Sequence, residues 1–169
     1  MRNFIMFFAI ISLCVSCSKP KLPTIEEEVL LEAFSMYQVA LVYDEVCNKT
    51  DPKTRYDTKN KENILLLGNQ NLLAARFGSV QHIRFPDKSV DELVGKLLDS
   101  FEKIQDKIRN ELEKQGCDGK VAQDAERVLK LYTGFHPMQI SALLDKKIEE
   151  RGGTITPPED RDAIGESPK

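Results

Sequence analysis

The sequence predicts an all-α domain, a small antiparallel bundle of four to five helices with one disulfide. Three observations lead there. Apolar residues recur every three or four positions over long stretches, most cleanly from Val90 to Leu112. Two helix starts carry the Ser/Thr-x-x-Glu pattern, Thr24-Ile25-Glu26-Glu27 and Ser89-Val90-Asp91-Glu92. In that pattern the first and fourth side chains satisfy the free N–H groups of a first turn. Strand-like alternation is confined to one short segment, and a single strand has nothing to pair with.

The first helix is expected from Thr24 to about Cys47, with apolar residues at 25, 29, 30, 33, 37, 40 and 41. Asn48, Asp51 and Pro52 are turn formers, so 48–60 reads as a polar loop. A second helix is expected from Lys61 to Phe77, and Gly78 suits the position just past its end. Val80, Ile83 and Phe85 then read as a loop packed on the core. The third helix carries the continuous stripe Val90, Leu93, Val94, Leu97, Leu98, Phe101, Ile104, Ile108 and Leu112, and Gly116 stops it. A fourth runs from about Gly119 to Gly134. His136-Pro137 opens a fifth, because proline suits a first helical turn, and Gly152-Gly153 ends it. Residues 24–151 thus form the bundle domain. Residues 152–169, with three prolines and few large apolar side chains, are expected to be a disordered tail.

Ahead of the bundle the chain has three parts. Met1-Arg2-Asn3 is short and positive, Phe4–Val15 is apolar except for Ser12, and Ser16-Cys17-Ser18 turns polar. That is the layout of a secretory signal, residues 1–16. The apolar run is shorter than the roughly 20 residues that a bilayer span needs. Leu13-Cys14-Val15-Ser16-Cys17 resembles the lipobox of bacterial lipoproteins, in which a small residue precedes an obligatory cysteine that is acylated. Cys14 stands where that family usually has leucine, and ordinary cleavage near Ser16 is the competing reading. The resemblance implies Cys17 as the lipid-attachment residue, bearing a palmitate-type acyl group, and residues 17–23 as an acylated tether. Ser18, in place of aspartate, implies sorting to the outer membrane, facing the periplasm.

After removal of the signal, 153 residues remain, enough for one core without a structural metal. The formal charge of −3 becomes −4 when Arg2 leaves, with both signs interspersed. Such a surface points to neither nucleic acid nor an anionic membrane as a partner. Cys47 and Cys117 are then the remaining cysteines. In an oxidising compartment an even pair is expected to form a disulfide, with two buried thiols as the alternative.

No catalytic constellation emerges, and an enzyme is not expected. His82 and His136 have no Cys or carboxylate cluster at ligand spacing; a metal site needs three or four convergent ligands. His136 before Pro137 reads as a helix cap. Glu26-Glu27-Glu28 and Glu149-Glu150 lie at helix ends, where solvated carboxylates are expected and the helix dipole accounts for the first run. No cofactor or metal is implied.

An acylated Cys17, a short tether, a helix ending in Cys47-Asn48-Lys49-Thr50-Asp51-Pro52, two more helices, Cys117 and a further helix resemble the PulS/OutS-type pilotins. These are outer-membrane lipoproteins of type II protein secretion systems. The resemblance covers about residues 17–133, and only Cys17, Cys47 and Cys117 carry over. It implies a binding module whose protein partner is a secretin subunit, held through a C-terminal segment that folds as an amphipathic helix in a groove. Two other classes stay open: an assembly lipoprotein of another envelope complex, and a periplasmic inhibitor or ligand binder.

Overall fold

Caps and apolar spacing place the helices much as the sequence suggests. The computed structural model describes residues 22–157, apart from Thr58 and the side chain of Tyr56. The regular elements among them are α1 (Ile25–Val46), a 3₁₀ turn (Pro52–Tyr56), α2 (Lys61–Arg84), α3 (Val90–Gln115), α4 (Lys120–Gly134) and α5 (Pro137–Glu150). The signal and the residues 17–21 of the tether lie outside the described residues.

At the start of α1 the capping box is complete: Thr24 Oγ1 accepts from the Glu27 N–H at 3.1 Å, and the Glu27 carboxylate accepts from the Thr24 N–H. At α3 only half of it forms. Ser89 Oγ accepts from the Glu92 N–H at 3.1 Å, but the Glu92 carboxylate turns outward to Lys88 and Lys96. His136 caps α5: its Nδ1 accepts from the Met138 N–H at 3.3 Å, and the Gln139 side chain accepts from the His136 N–H.

The second helix departs from expectation. It passes through Gly78 and continues to Arg84, so the proposed loop at 79–87 is helix for most of its length. Gly78 ends nothing; it lets α3 approach. A Cβ there would sit 2.4 Å from Val90 Cγ1, and one on Gly68 would sit 2.9 Å from Pro137 Cγ. Both glycines of α2 serve close crossings, which is the other common reason for glycine in a helix. Val80 and Ile83 were therefore neighbours at helical spacing, one buried and one exposed.

Cross-links between helices give the topology. Glu27 meets Arg84 and Tyr37 meets Leu66, so α2 runs antiparallel to α1. Phe34, Gln38 and Glu45 meet Phe101, Gln105 and Arg109, so α3 runs alongside α1 in its direction. Thereafter α4 returns, from the Cys47–Cys117 end to Tyr132, whose hydroxyl donates to the Ala33 carbonyl at 3.1 Å. The result is an up-down-up-down bundle around α1, which packs on all four other helices. Asn69 pins the α4–α5 corner: its Nδ2 donates to the carbonyls of Tyr132 and Phe135 at 2.8 and 2.9 Å. From there α5 runs to the end where α1 begins.

The main core contains Val29, Leu30, Phe34, Tyr37, Leu73, Phe101, Tyr132 and Ile148. Tyr37 and Tyr132 pack edge to face at 5.1 Å between centroids. Burial pushes the Tyr132 phenol far above its ordinary pKa. A smaller cluster, with Val42, Tyr43, Leu112, Ala122 and Ala125, fills the opposite end beneath the disulfide.

Two expectations about polar residues change. Glu26 and Glu27 are not solvated; both are 3 % exposed. Glu26 pairs with Arg76 at 3.2 Å, and Arg76 also reaches Asp145 at 2.7 Å. Glu27 pairs with Arg84 at 3.1 Å. The first residues of the expected tail are held as well. Gly153 lies against Ile25 and Ile148, Ile155 packs on the core, and the Thr156 N–H and hydroxyl donate to Glu26 at 3.0 and 2.7 Å. The buried carboxylate needs donors, and residues 153–157 supply two. Residues 158–169 lie outside the described residues.

Candidate functional site: a groove between three helices

The residues singled out in the sequence do not converge. Cys17 lies outside the described residues. Cys47 and Cys117 are joined in a disulfide that ties the end of α1 to the corner between α3 and α4. The His82 Nδ1 lies 2.7 Å from the Lys88 carbonyl oxygen, while His136 caps α5 at another part of the bundle. No three His, Cys, Asp or Glu side chains among the described residues are grouped to hold a metal ion. Likewise, no described helix is long and apolar enough to cross a membrane.

What the fold does assemble is a groove of about 360 Å³ along α1, α2 and α3. Its residues follow helical spacing on each wall: Tyr37, Gln38, Leu41 and Glu45 on α1; Leu66, Leu67 and Gln70 on α2; Leu98, Phe101, Glu102 and Gln105 on α3. Leucine and phenylalanine share the lining with amides and charges, and its exposed surface is more polar than apolar. The α1 and α2 walls are joined by the Tyr37 hydroxyl, which donates to the Leu66 carbonyl at 3.1 Å. The α1 and α3 walls are joined by Gln105 Nε2, which donates to Gln38 Oε1 at 2.6 Å.

Arg55, delivered by the 3₁₀ turn, closes one end. Its Nη2 donates to the Leu41 carbonyl at 2.8 Å, and its Nη1 meets Glu45 at 2.8 Å. Glu45 is shared with Arg109 of α3. Three carboxylates, Glu45, Asp99 and Glu102, thus line the groove against one guanidinium. Asp99 and Glu102 are exposed on the α3 wall. The rim is acidic on that side.

A second, smaller cleft of about 240 Å³ lies between α1, α4 and α5. Ala33, Met36, Val128, Leu131 and Leu143 make it nearly all apolar. Glu32 stands at its edge, bonded to Lys147 at 3.0 Å and Arg151 at 2.8 Å. Partial burial works against the Glu32 charge, but the two cations outweigh it and hold the carboxyl below its ordinary pKa.

The first groove brings apolar side chains, amides and carboxylates together on walls from three helices. Its residues could not be chosen from sequence because they come from segments 30 to 60 residues apart. One signal did exist. The α3 stripe is wider than a core face needs, and its Leu98, 40 % exposed, lines the groove.

No family profile, curated protein or solved structure matches this chain.

Proposed function

We propose that this chain is an outer-membrane-anchored periplasmic lipoprotein acting as a binding and targeting module. Its closest functional type is a pilotin that holds a secretin C-terminal segment. The observation that carries this reading is the groove between α1, α2 and α3. Its leucines and phenylalanine suit the apolar anchors of an amphipathic helix at three- and four-residue spacing, and the amides between them suit its polar flanks. The acidic α3 wall, Asp99 and Glu102, suits basic side chains flanking that face.

The mechanism is physical. A segment that is disordered when free pays its ordering cost on entering the groove, so binding stays reversible. The acyl chains on Cys17 contribute about 0.8 kcal/mol per buried CH₂ and keep the complex at the membrane. Position is thereby passed from the carrier to its cargo.

Titration of a labelled secretin C-terminal peptide against the purified mature protein tests the groove. Leu98 is 40 % exposed, so Leu98→Glu should place a charge on the α3 wall of the groove with little loss of core packing. Affinity for the peptide should fall about tenfold or more, roughly 1.4 kcal/mol. Equal affinity of the two proteins would remove the groove from the proposal.

A further inference from the structure

The end of the bundle from which the tether leaves carries more than an attachment point. Seven steps separate Cys17 from Thr24, a reach of at most about 25 Å when fully extended. Four elements meet at that end: the start of α1, the end of α2, the start of α3 and the end of α5 with residues 153–157. At α1's far end stands the disulfide, about 33 Å away along a helix of 22 residues. An acylated Cys17 therefore keeps the start of α1 within about 25 Å of the lipid.

That end also presents exposed apolar side chains, set among charges of which some are paired. Leu22, at the foot of the tether, is 88 % exposed, and Ile83, in the last turn of α2, is 55 % exposed. Pro86 follows, also exposed, in the turn to α3. Around them Glu27 is paired with Arg84, and Glu92 with both Lys88 and Lys96. Glu28, Asp87 and Asp91 are exposed acidic side chains at that end without such a pair among the described residues.

We infer that Leu22, Ile83 and Pro86 form a membrane-contact face that enters the lipid headgroup region and fixes the bundle's orientation. This rests on acylation of Cys17, and the occupant is the lipid surface to which that residue is anchored. The face is small and the charges around it are net acidic, so it cannot anchor the protein alone. It acts on a molecule already held there, at high local concentration. The consequence is orientation: the Arg55–Glu45 end of the groove points away from the membrane.

The chain has no tryptophan, so single substitutions give an unambiguous signal. The full-length acylated protein would be bound to vesicles of phosphatidylethanolamine and phosphatidylglycerol carrying brominated acyl chains. Ile83→Trp should shift its emission to the blue and lose roughly half its intensity, as expected for a side chain 5–10 Å into the interface. Met138→Trp, at the start of α5 and 76 % exposed in the native residue, should do neither. Equal emission from the two variants on vesicle-bound, acylated protein would overturn the contact face and leave the lipoprotein reading standing. A mass showing unmodified Cys17, with no vesicle binding, would overturn both.

Discussion

Glycine and arginine show most plainly what single residues decide in this fold. Gly78 and Gly95 both lie in helix interiors, yet their surroundings differ. A Cβ on Gly78 would collide with Val90, while one on Gly95 meets nothing within 4 Å. Gly78→Ala should therefore destabilise by about 1–3 kcal/mol through overpacking. Gly95→Ala should stabilise by roughly 0.5–1 kcal/mol through helix propensity. Urea unfolding of the two variants checks the contrast, and a common sign would refute it. Arg76 is the second case. It sits at a core-facing position between Leu73 and Val80, 3 % exposed, and pairs with both Glu26 and Asp145. Arg76→Ala removes a buried cation from these carboxylates, which should cost about 3–5 kcal/mol, measured by the same unfolding. An arginine inside an apolar stripe was visible in the sequence; its partner, fifty residues earlier, was not. The dipole explanation sufficed for the acidic run at 26–28, so its burial went unread.

At the scale of elements, the caps were the most legible feature and helix ends the least. Thr24 and His136 act as their neighbours imply, because a cap is a local interaction. The end of α2 was misplaced because Gly78 satisfies two different physical needs, a stop and a close crossing, that look the same in one dimension. Residues 153–157 were likewise obscured: composition reports a lack of apolar side chains, not a hydrogen bond from Thr156 to Glu26. The seam between α1 and α5 has a pH signature. Glu32 binds Lys147 and Arg151, and its carboxyl is held below the ordinary pKa. A depressed folded pKa adds stability that is complete above the unfolded value and disappears as pH falls through the folded one. Glu32→Gln should thus cost below about 1 kcal/mol at neutral pH, given its partial exposure. The difference from wild type should shrink to nothing in acid, as followed by thermal melts across pH. A constant difference would contradict the pairing.

For the whole molecule, the helical class and the Cys47–Cys117 disulfide were readable in advance, since periodicity and cysteine arithmetic are properties of the chain itself. The groove was not, because it is made by three helices whose relative placement only packing decides. The disulfide joins residues 70 apart in sequence, so it restricts the unfolded chain over much of its length. Replacing both cysteines by alanine should lower the unfolding free energy by about 4 kcal/mol, with the far-ultraviolet helical signal intact at low temperature. Under the proposed function, one end of this molecule holds cargo while the other holds the membrane. The most direct measurement of this is the fraction of secretin multimer recovered in the outer membrane of cells whose only copy of this protein is Cys17→Ala. Both the variant and the secretin should leave the outer-membrane fraction, with wild type restoring both. Secretin multimers assembled normally in the outer membrane beside the Cys17→Ala protein would contradict it.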